Sequence, residues 1–214
     1  MYYDQHVTFQ TPIALYSDEH TTRLATTRQS AENTVKIHED LERYRRIITD
    51  TQPEVLVESG TWQGGAAVWF ARLGLDVITV DLKPYVTHEN QVRGGESVTW
   101  LLGDSTSTRI VDRIQRLTTG RRTMVVLDSD HRADHVRREI ELYTPLVSSG
   151  CYLVVEDGVV EWMLDETYEG PLHAIQTHLV DNPTWYRDLE IEKLHLVTMH
   201  LAGWWRKEDH VVED

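Results

Sequence analysis

A single cysteine, Cys151, stands in 214 residues. That excludes an internal disulfide, and a Cys-based zinc site would need several more thiolates; a reducing compartment is the expectation. No Lys/Arg-rich block relieves a formal charge of −14, and no aromatic-basic alternation is present. A pI near 5.2 opposes binding to a phosphate backbone, so nucleic acid is not an expected partner. Long apolar runs are missing too. Nothing approaches the roughly 20 residues of a membrane span. The start "MYYDQHVTFQTPIALYSDEH" lacks the basic opening and apolar core of a signal peptide, so a cytoplasmic protein without a membrane partner is expected. No G-x-S-x-G elbow and no P-loop occur, which removes the commonest hydrolase and nucleoside-triphosphatase readings.

What is present suits one sizeable core, since 40% of the residues are apolar. Residues 18–50 are polar, with Leu24, Val35, Leu41, Tyr44, Ile47 and Ile48 spaced as on a long helix or helix pair lying over a core. We read residues 1–50 as an N-terminal helical extension and 51–214 as the main domain. From residue 54 onward the runs "VLVES", "DVITVD", "SVTWLL", "TMVVLD" and "CYLVVED" read as strands. Helical patterns near 66–73, 107–117, 131–143 and 171–180 separate them, in the βαβ rhythm of a mostly parallel sheet with helices on both faces. "WYRDLEIEK" and "LHLVTMHLAGWW" follow as a C-terminal antiparallel hairpin, making seven strands in an α/β fold. Residues 83–97 are the longest irregular segment, of the kind that forms a lid or binding loop. Cys151 opens a buried strand and reads as a small apolar residue; Trp204 and Trp205 either line a cavity or close the sheet edge.

In such a sheet ligands bind beyond the carboxyl ends of the strands, and these strands end in acids. The first ends "VLVESGTWQGG", with Glu58, Gly60, Gly64 and Gly65 in the turn before a helix. Glycine lets backbone approach a ligand closely, and the helix start favours polar groups. The G-x-x-x-G-G spacing after an acid suits a cationic amino-acid cofactor better than the pyrophosphate of a dinucleotide. Asp81 ends the second strand, 23 residues after Glu58, where a carboxylate can take both hydroxyls of a ribose. "LLGDS" ends the third at a polar corner placed for an adenine edge.

With these elements in order, residues 54–206 resemble the class I S-adenosylmethionine-dependent methyltransferases with their Rossmann-like fold. The branch is that of cephalosporin hydroxylase-like proteins and macrocin-type O-methyltransferases. The resemblance is most specific in "LDSDHRADHVRREIELYTPLVSSGCYLVVEDGVV" and weaker in "VESGTWQGGAAVWFA". It implies that Glu58, Gly60, Asp81, Asp104 and Ser105 contact S-adenosylmethionine, together with Thr61, Gln63 and Gly64 of the same turn and Asp128. It also implies that Asp128, Glu156 and Asp157 hold a divalent metal, and it places His131 where the family has its general base.

Elementary electrostatics points the same way. Three carboxylates at neighbouring strand ends repel one another unless a cation neutralises them. All-oxygen ligation favours Mg²⁺, with Mn²⁺ or Ca²⁺ as chemically acceptable substitutes. The competing reading has Asp128 capping the next helix and Glu156 and Asp157 opening a solvated loop. Asp130 rivals Asp128 as a ligand. His131 and His135 share the i, i+4 spacing of a helical metal pair, but the Glu of a zinc-protease motif is missing, so His135 reads as a surface or packing residue. An imidazole has the right intrinsic pKa to take a hydroxyl proton near neutrality. The expected activity is Mg²⁺-dependent O-methyl transfer to a small hydroxylated acceptor, a sugar-bearing or other natural-product intermediate. Two alternatives are a metal-dependent oxygenase and a non-catalytic cofactor-binding scaffold, and homo-oligomerisation is left open.

Overall fold

The computed structural model describes residue 34 and residues 36–164 and 167–208, with backbone alone at 92–94, 96 and 162. The expectations for Leu24 and Val35, for the rest of residues 1–33, and for the side chain of Trp162 lie outside the described residues.

Helix α1 (His38–Thr51) leads into β1 (Val55–Ser59), followed by α2 (Gly65–Arg72), β2 (Asp76–Asp81), α3 (His88–Gly94), β3 (Val98–Leu102) and α4 (Thr108–Thr118). The chain continues through β4 (Thr123–Leu127), α5 (Ala133–Tyr143), β5 (Tyr152–Val155), the short α6 (Val160–Met163), α7 (Pro171–His178), β6 (Trp185–Arg187), α8 (Leu189–Glu192) and β7 (Trp204–Lys207). The seven strands form one sheet in the order β3-β2-β1-β4-β5-β7-β6. The first five are parallel, and β7 runs against both β5 and β6.

Every residue of β1, β4 and β5 is buried, which is why these strands read as continuous apolar runs and not as alternating ones. α1 docks its stripe of Leu41, Tyr44, Ile47 and Ile48 into the same core as the strands. It ends where Gln52 turns left-handed at φ 47° and donates its N–H to the Ile48 carbonyl, with Pro53 beyond. Tyr44 packs edge-on to Phe70 at 5.0 Å and to Trp204 at 5.1 Å.

Two segments differ from the sequence reading. Residues 83–97 are irregular only as far as Thr87, which accepts the Asn90 N–H at 3.2 Å and caps α3; a 3-10 turn over Gly95–Ser97 follows that helix. Polar helices without an apolar stripe carry little periodic signal, so the cap was the available cue. The C-terminal antiparallel pair is present, but in "LHLVTMHLAGWW" only Trp204 and Trp205 are strand. Residues 193–203 form an irregular segment over the end of β5, because its alternation serves buried contacts of a loop and not a ladder. Trp204 and Trp205 are both buried in β7, which lies inside the sheet, so they close no edge.

Strand order reverses at β1, with β2 on one side and β4 on the other. Ligands settle at such a switch point.

Candidate active site

The register brings the acids together. Ser59 pairs with Val80 and Leu127, and Leu127 with Val155, so β1, β2, β4 and β5 end at one level. Parallel bonding continues one step further, with Asp128 N–H donating to Ser59 O at 2.9 Å and Glu156 N–H to Leu127 O at 2.9 Å. Asp128 and Glu156 are therefore neighbours, and Asp157 turns back over them at φ 56°.

On the switch-point side, Gly60 adopts φ +90°, and a Cβ there would lie 1.8 Å from the Asp128 carbonyl oxygen. Only glycine fits. Gly64 caps α2 at φ +85°, where a Cβ would meet the Trp100 ring at 2.8 Å. The buried Glu58 accepts from Thr79 Oγ1 at 2.7 Å, and Thr79 shares a second 2.7 Å bond with Thr61. Burial, with help from Asp128 and Asp81, pushes the Glu58 carboxyl up to about 7 against the opposing pull of Lys36 and Thr79. Asp81 accepts the backbone N–H groups of Trp62 (2.9 Å) and Lys83 (3.0 Å), which hold its carboxylate over the turn. Gln63 is exposed, and its carbonyl ties the turn to α3 through Asn90 at 2.8 Å. Asp104 accepts the N–H and hydroxyl of Thr106, both at 2.8 Å, which hold it below the usual carboxylate range. Ser105 lies 3.3 Å from the His135 ring, and its carbonyl accepts from Tyr143 at 2.9 Å. A glycine-only approach between two strand ends, flanked by carboxylates on β1 and β2, fits an amino-acid nucleoside with a cationic head.

The acidic side holds a residue that the sequence reading missed. Lys36 is buried, and its Nζ donates to Asp128 Oδ2 at 2.9 Å and to Glu156 Oε2 at 2.6 Å. Tyr44 donates to the other Glu156 oxygen at 2.5 Å. Burial pushes Glu156 well above the usual carboxylate range, and the Asp128 charge adds to it while Lys36 opposes. Asp128 moves the other way against its own burial, held well below that range by Lys36 and His131. One ammonium serves Asp128, Glu156 and Glu58, too little to keep all three buried carboxyls ionised, so Glu156 retains its proton unless a further cation binds. That imbalance and the oxygen donors fit a divalent cation such as Mg²⁺.

His131 Nε2 lies 3.5 Å from Asp128 Oδ1 and 3.6 Å from Asp157 Oδ2, and the three groups converge closely enough to share one ion. Burial opposes protonation of this ring, but the hydrogen bond to Asp128 and the charges of Asp157 and Asp128 raise its pKa overall. Glu156, Asp157 and His200 form a second convergent group. His200 is buried, and burial lowers its pKa to about 4, leaving a neutral ring. Asp128 does not cap α5. The carboxylate at that turn is Asp130, which accepts the Arg132 N–H at 3.0 Å, pairs with its guanidinium and stands apart from the cluster. His135 meets Ser129 at 3.1 Å and Glu139 at 3.4 Å and is tied into α5 packing. Cys151 is buried before β5. The signal for Lys36 and Tyr44 was faint: polar Asp40, Arg43 and Tyr44 sit on the buried stripe of α1, where an apolar residue is the rule.

The family model described as Rhamnosyl O-methyltransferase/CmcI matches residues 24–208. A rhamnosyl O-methyltransferase of Mycobacterium tuberculosis (strain ATCC 25618 / H37Rv) is 34% identical over 158 residues, which cover 69% of this chain and 64% of the relative. The chain thus matches just under two thirds of that relative's length. Among solved structures, apo CmcI aligns with a TM-score of 0.62 at 15% identity over 82% of this chain and 73% of that one. CmcI with Mg and SAM aligns at 0.59 and 16% identity, over 81% and 73%. At such identities these two structures speak to the fold alone, whereas the family model spans all the described residues: the chain belongs to the rhamnosyl O-methyltransferase/CmcI family.

Proposed function

We propose that this chain is an O-methyltransferase that moves the methyl group of S-adenosylmethionine to a hydroxyl of a small acceptor, a sugar-bearing or similarly hydroxylated natural-product intermediate. The observation that carries the proposal is His131 Nε2 at 3.5 and 3.6 Å from two carboxylates, one strand along from the glycine-only turn. Family membership, a relative named for rhamnosyl O-methylation, and a CmcI structure holding Mg and SAM support it. Glu58, Gly60, Thr61, Gln63, Gly64, Asp81, Asp104, Ser105 and Asp128 are the proposed cofactor residues. Asp128, Glu156 and Asp157 would hold the metal. When bound, Mg²⁺ would lower the pKa of the acceptor hydroxyl and orient it.

The residues of the chain do the rest. The glycine turn and Glu58 seat the donor, and His131, in its neutral form, accepts the hydroxyl proton. The acceptor oxygen attacks the methyl carbon in line; the carbon–sulfur bond breaks and leaves its electron pair on sulfur. Most of the rate then derives from orientation, because the sulfonium is already an activated donor. Residues 51–214 form the proposed catalytic domain, with the preceding segment lending Lys36 and Tyr44 to it. We place the protein in the cytoplasm; among the described residues no helix is long and apolar enough to cross a membrane.

The test is a panel of glycosylated and other hydroxylated acceptors with methyl-labelled donor and Mg²⁺, read by mass spectrometry. One label per acceptor, lost in excess chelator, is expected. Donor binding without transfer to any hydroxyl would sink the reading in favour of a scaffold.

A further inference from the structure

Asp157 is the one proposed metal ligand with a left-handed backbone, at φ 56°. Aspartate visits this region more readily than most residues, but the conformation is not its default, and something must hold it. The partner is His200, whose Nδ1 accepts the Asp157 N–H at 3.1 Å in a buried bond spanning 43 residues of sequence. The backbone around His200 is moulded to the end of β5. A Cβ on Gly158 would lie 2.2 Å from Leu201 O, and one on Gly203 would lie 1.9 Å from Val155 O. Val155 N–H donates to Gly203 O at 2.9 Å.

Helix α1 holds this segment in turn. Asp40 accepts from Thr198 Oγ1 at 2.7 Å and from Met199 N–H at 2.9 Å, and Thr198 Oγ1 accepts the His200 N–H at 3.0 Å. The ring is walled by Tyr44 at 6.0 Å and Trp204 at 5.5 Å between centroids. Because Nδ1 accepts, the neutral ring carries its proton on Nε2. That N–H finds no hydrogen-bond partner among the described residues and lies 3.6 Å from Asp40 Oδ2 and Glu156 Oε2. Both nitrogens are therefore committed against metal ligation, although His200 sits beside two proposed ligands.

We propose that His200 is a positioning residue: by accepting the Asp157 N–H it fixes the left-handed turn that aims the Asp157 carboxylate at the metal site, and the segment after α8 is built to carry it. The inference rests on the reading of Asp157 as a metal ligand. A partner that orients a ligand without touching the ion commonly matters about 10–100-fold in metal affinity.

The test compares three variants of the whole chain. Asparagine places an amide oxygen near the position of Nδ1 and can accept the same N–H; glutamine reaches toward Nε2 instead, and leucine accepts nothing. Mn²⁺ affinity, read by calorimetry and by water-proton relaxation, should fall about 10–100-fold in His200→Leu and His200→Gln. It should return to within a few-fold of wild type in His200→Asn. S-adenosylmethionine affinity should stay level throughout. Hydrogen exchange at the Asp157 amide, followed in the metal-free protein, should quicken in the leucine and glutamine variants and not in the asparagine variant. Wild-type Mn²⁺ affinity in a folded leucine variant, or equal loss in all three, would overturn the inference. If wild type binds no Mn²⁺, the metal reading falls and the inference with it, while slow exchange confined to wild type and His200→Asn would still uphold the hydrogen bond.

Discussion

At the residue scale the site is defined by groups held away from their ordinary chemistry. Glu58 is the clearest. Its carboxyl is pushed from 4.5 to about 7, so between those values the folded chain binds a proton that the unfolded chain has released. Stability from this group is therefore greatest below about pH 4.5 and falls as pH rises towards 7, by about 3 kcal/mol in all. Urea midpoints at about pH 5 and pH 7.5 should show the fall in wild type and a flatter response in Glu58→Gln. The same substitution should weaken S-adenosylmethionine about tenfold, the cost of losing one hydrogen bond to a charged group. His131 makes a different prediction. His131→Ala should keep fold, metal and donor affinity yet lose roughly 10²–10⁴-fold in turnover per folded molecule, with partial recovery as pH rises and the acceptor ionises without a base. Equal turnover of the two proteins between about pH 6 and 9 would remove His131 from the mechanism.

At the scale of elements, α1 is a working part of the site. Its buried Arg43 donates to Asp40 at 2.9 Å and to the carbonyls of Ile191, Glu192, His195 and Val197 at 2.9–3.0 Å. One guanidinium thus serves two carbonyls at the end of α8 and two in the irregular segment after it, and so ties both to α1. Arg43→Met would leave the buried Asp40 charge without its ion pair and take a donor from four carbonyls, and a loss of about 3–5 kcal/mol is expected in chemical denaturation. Amide exchange should rise first across residues 191–200 and spare β1 and β4, whose apolar packing is untouched. A loss spread evenly over the sheet would show that Arg43 supports the core and not the segment.

For the whole molecule, 35 acids against 21 Lys and Arg make self-repulsion a standing cost, and the acids at the carboxyl edge of the sheet concentrate it. A cation bound there stabilises the folded state by mass action, about 2.7 kcal/mol at a hundred times its Kd. For a chain of this size that raises Tm by roughly 5–10 °C. Scanning calorimetry should show this rise with Mg²⁺ and its reversal by chelator. NaCl at matched ionic strength, which only screens, should produce a small part of it. Asp157→Ala should keep the response to NaCl and lose the rest. Identical shifts in the two proteins would mean that Mg²⁺ acts through screening alone.

The sequence by itself determined the parallel part of the sheet, the family and which acids gather at its carboxyl edge. β1, β4 and β5 are buried on both faces, so each had to be a short continuous apolar run, and parallel pairing forces such runs to end together. Glu58, Asp81, Asp128, Glu156 and Asp157 could therefore be gathered at one edge from the ends of the runs alone, and the tight turn at Gly60 from its spacing. Only the tertiary structure decided what surrounds them. Lys36 reaches Asp128 across 92 residues and Glu156 across 120, and His200 reaches Asp157 across 43. No periodicity encodes such contacts, because a helix or an irregular segment chooses its buried partners by packing against a sheet that must already exist. The segment before β7 shows this most directly: its alternating pattern reads as strand in isolation, yet the carbonyls of His195 and Val197 are taken by Arg43 from α1, a bond that exists only once these distant stretches meet in the fold.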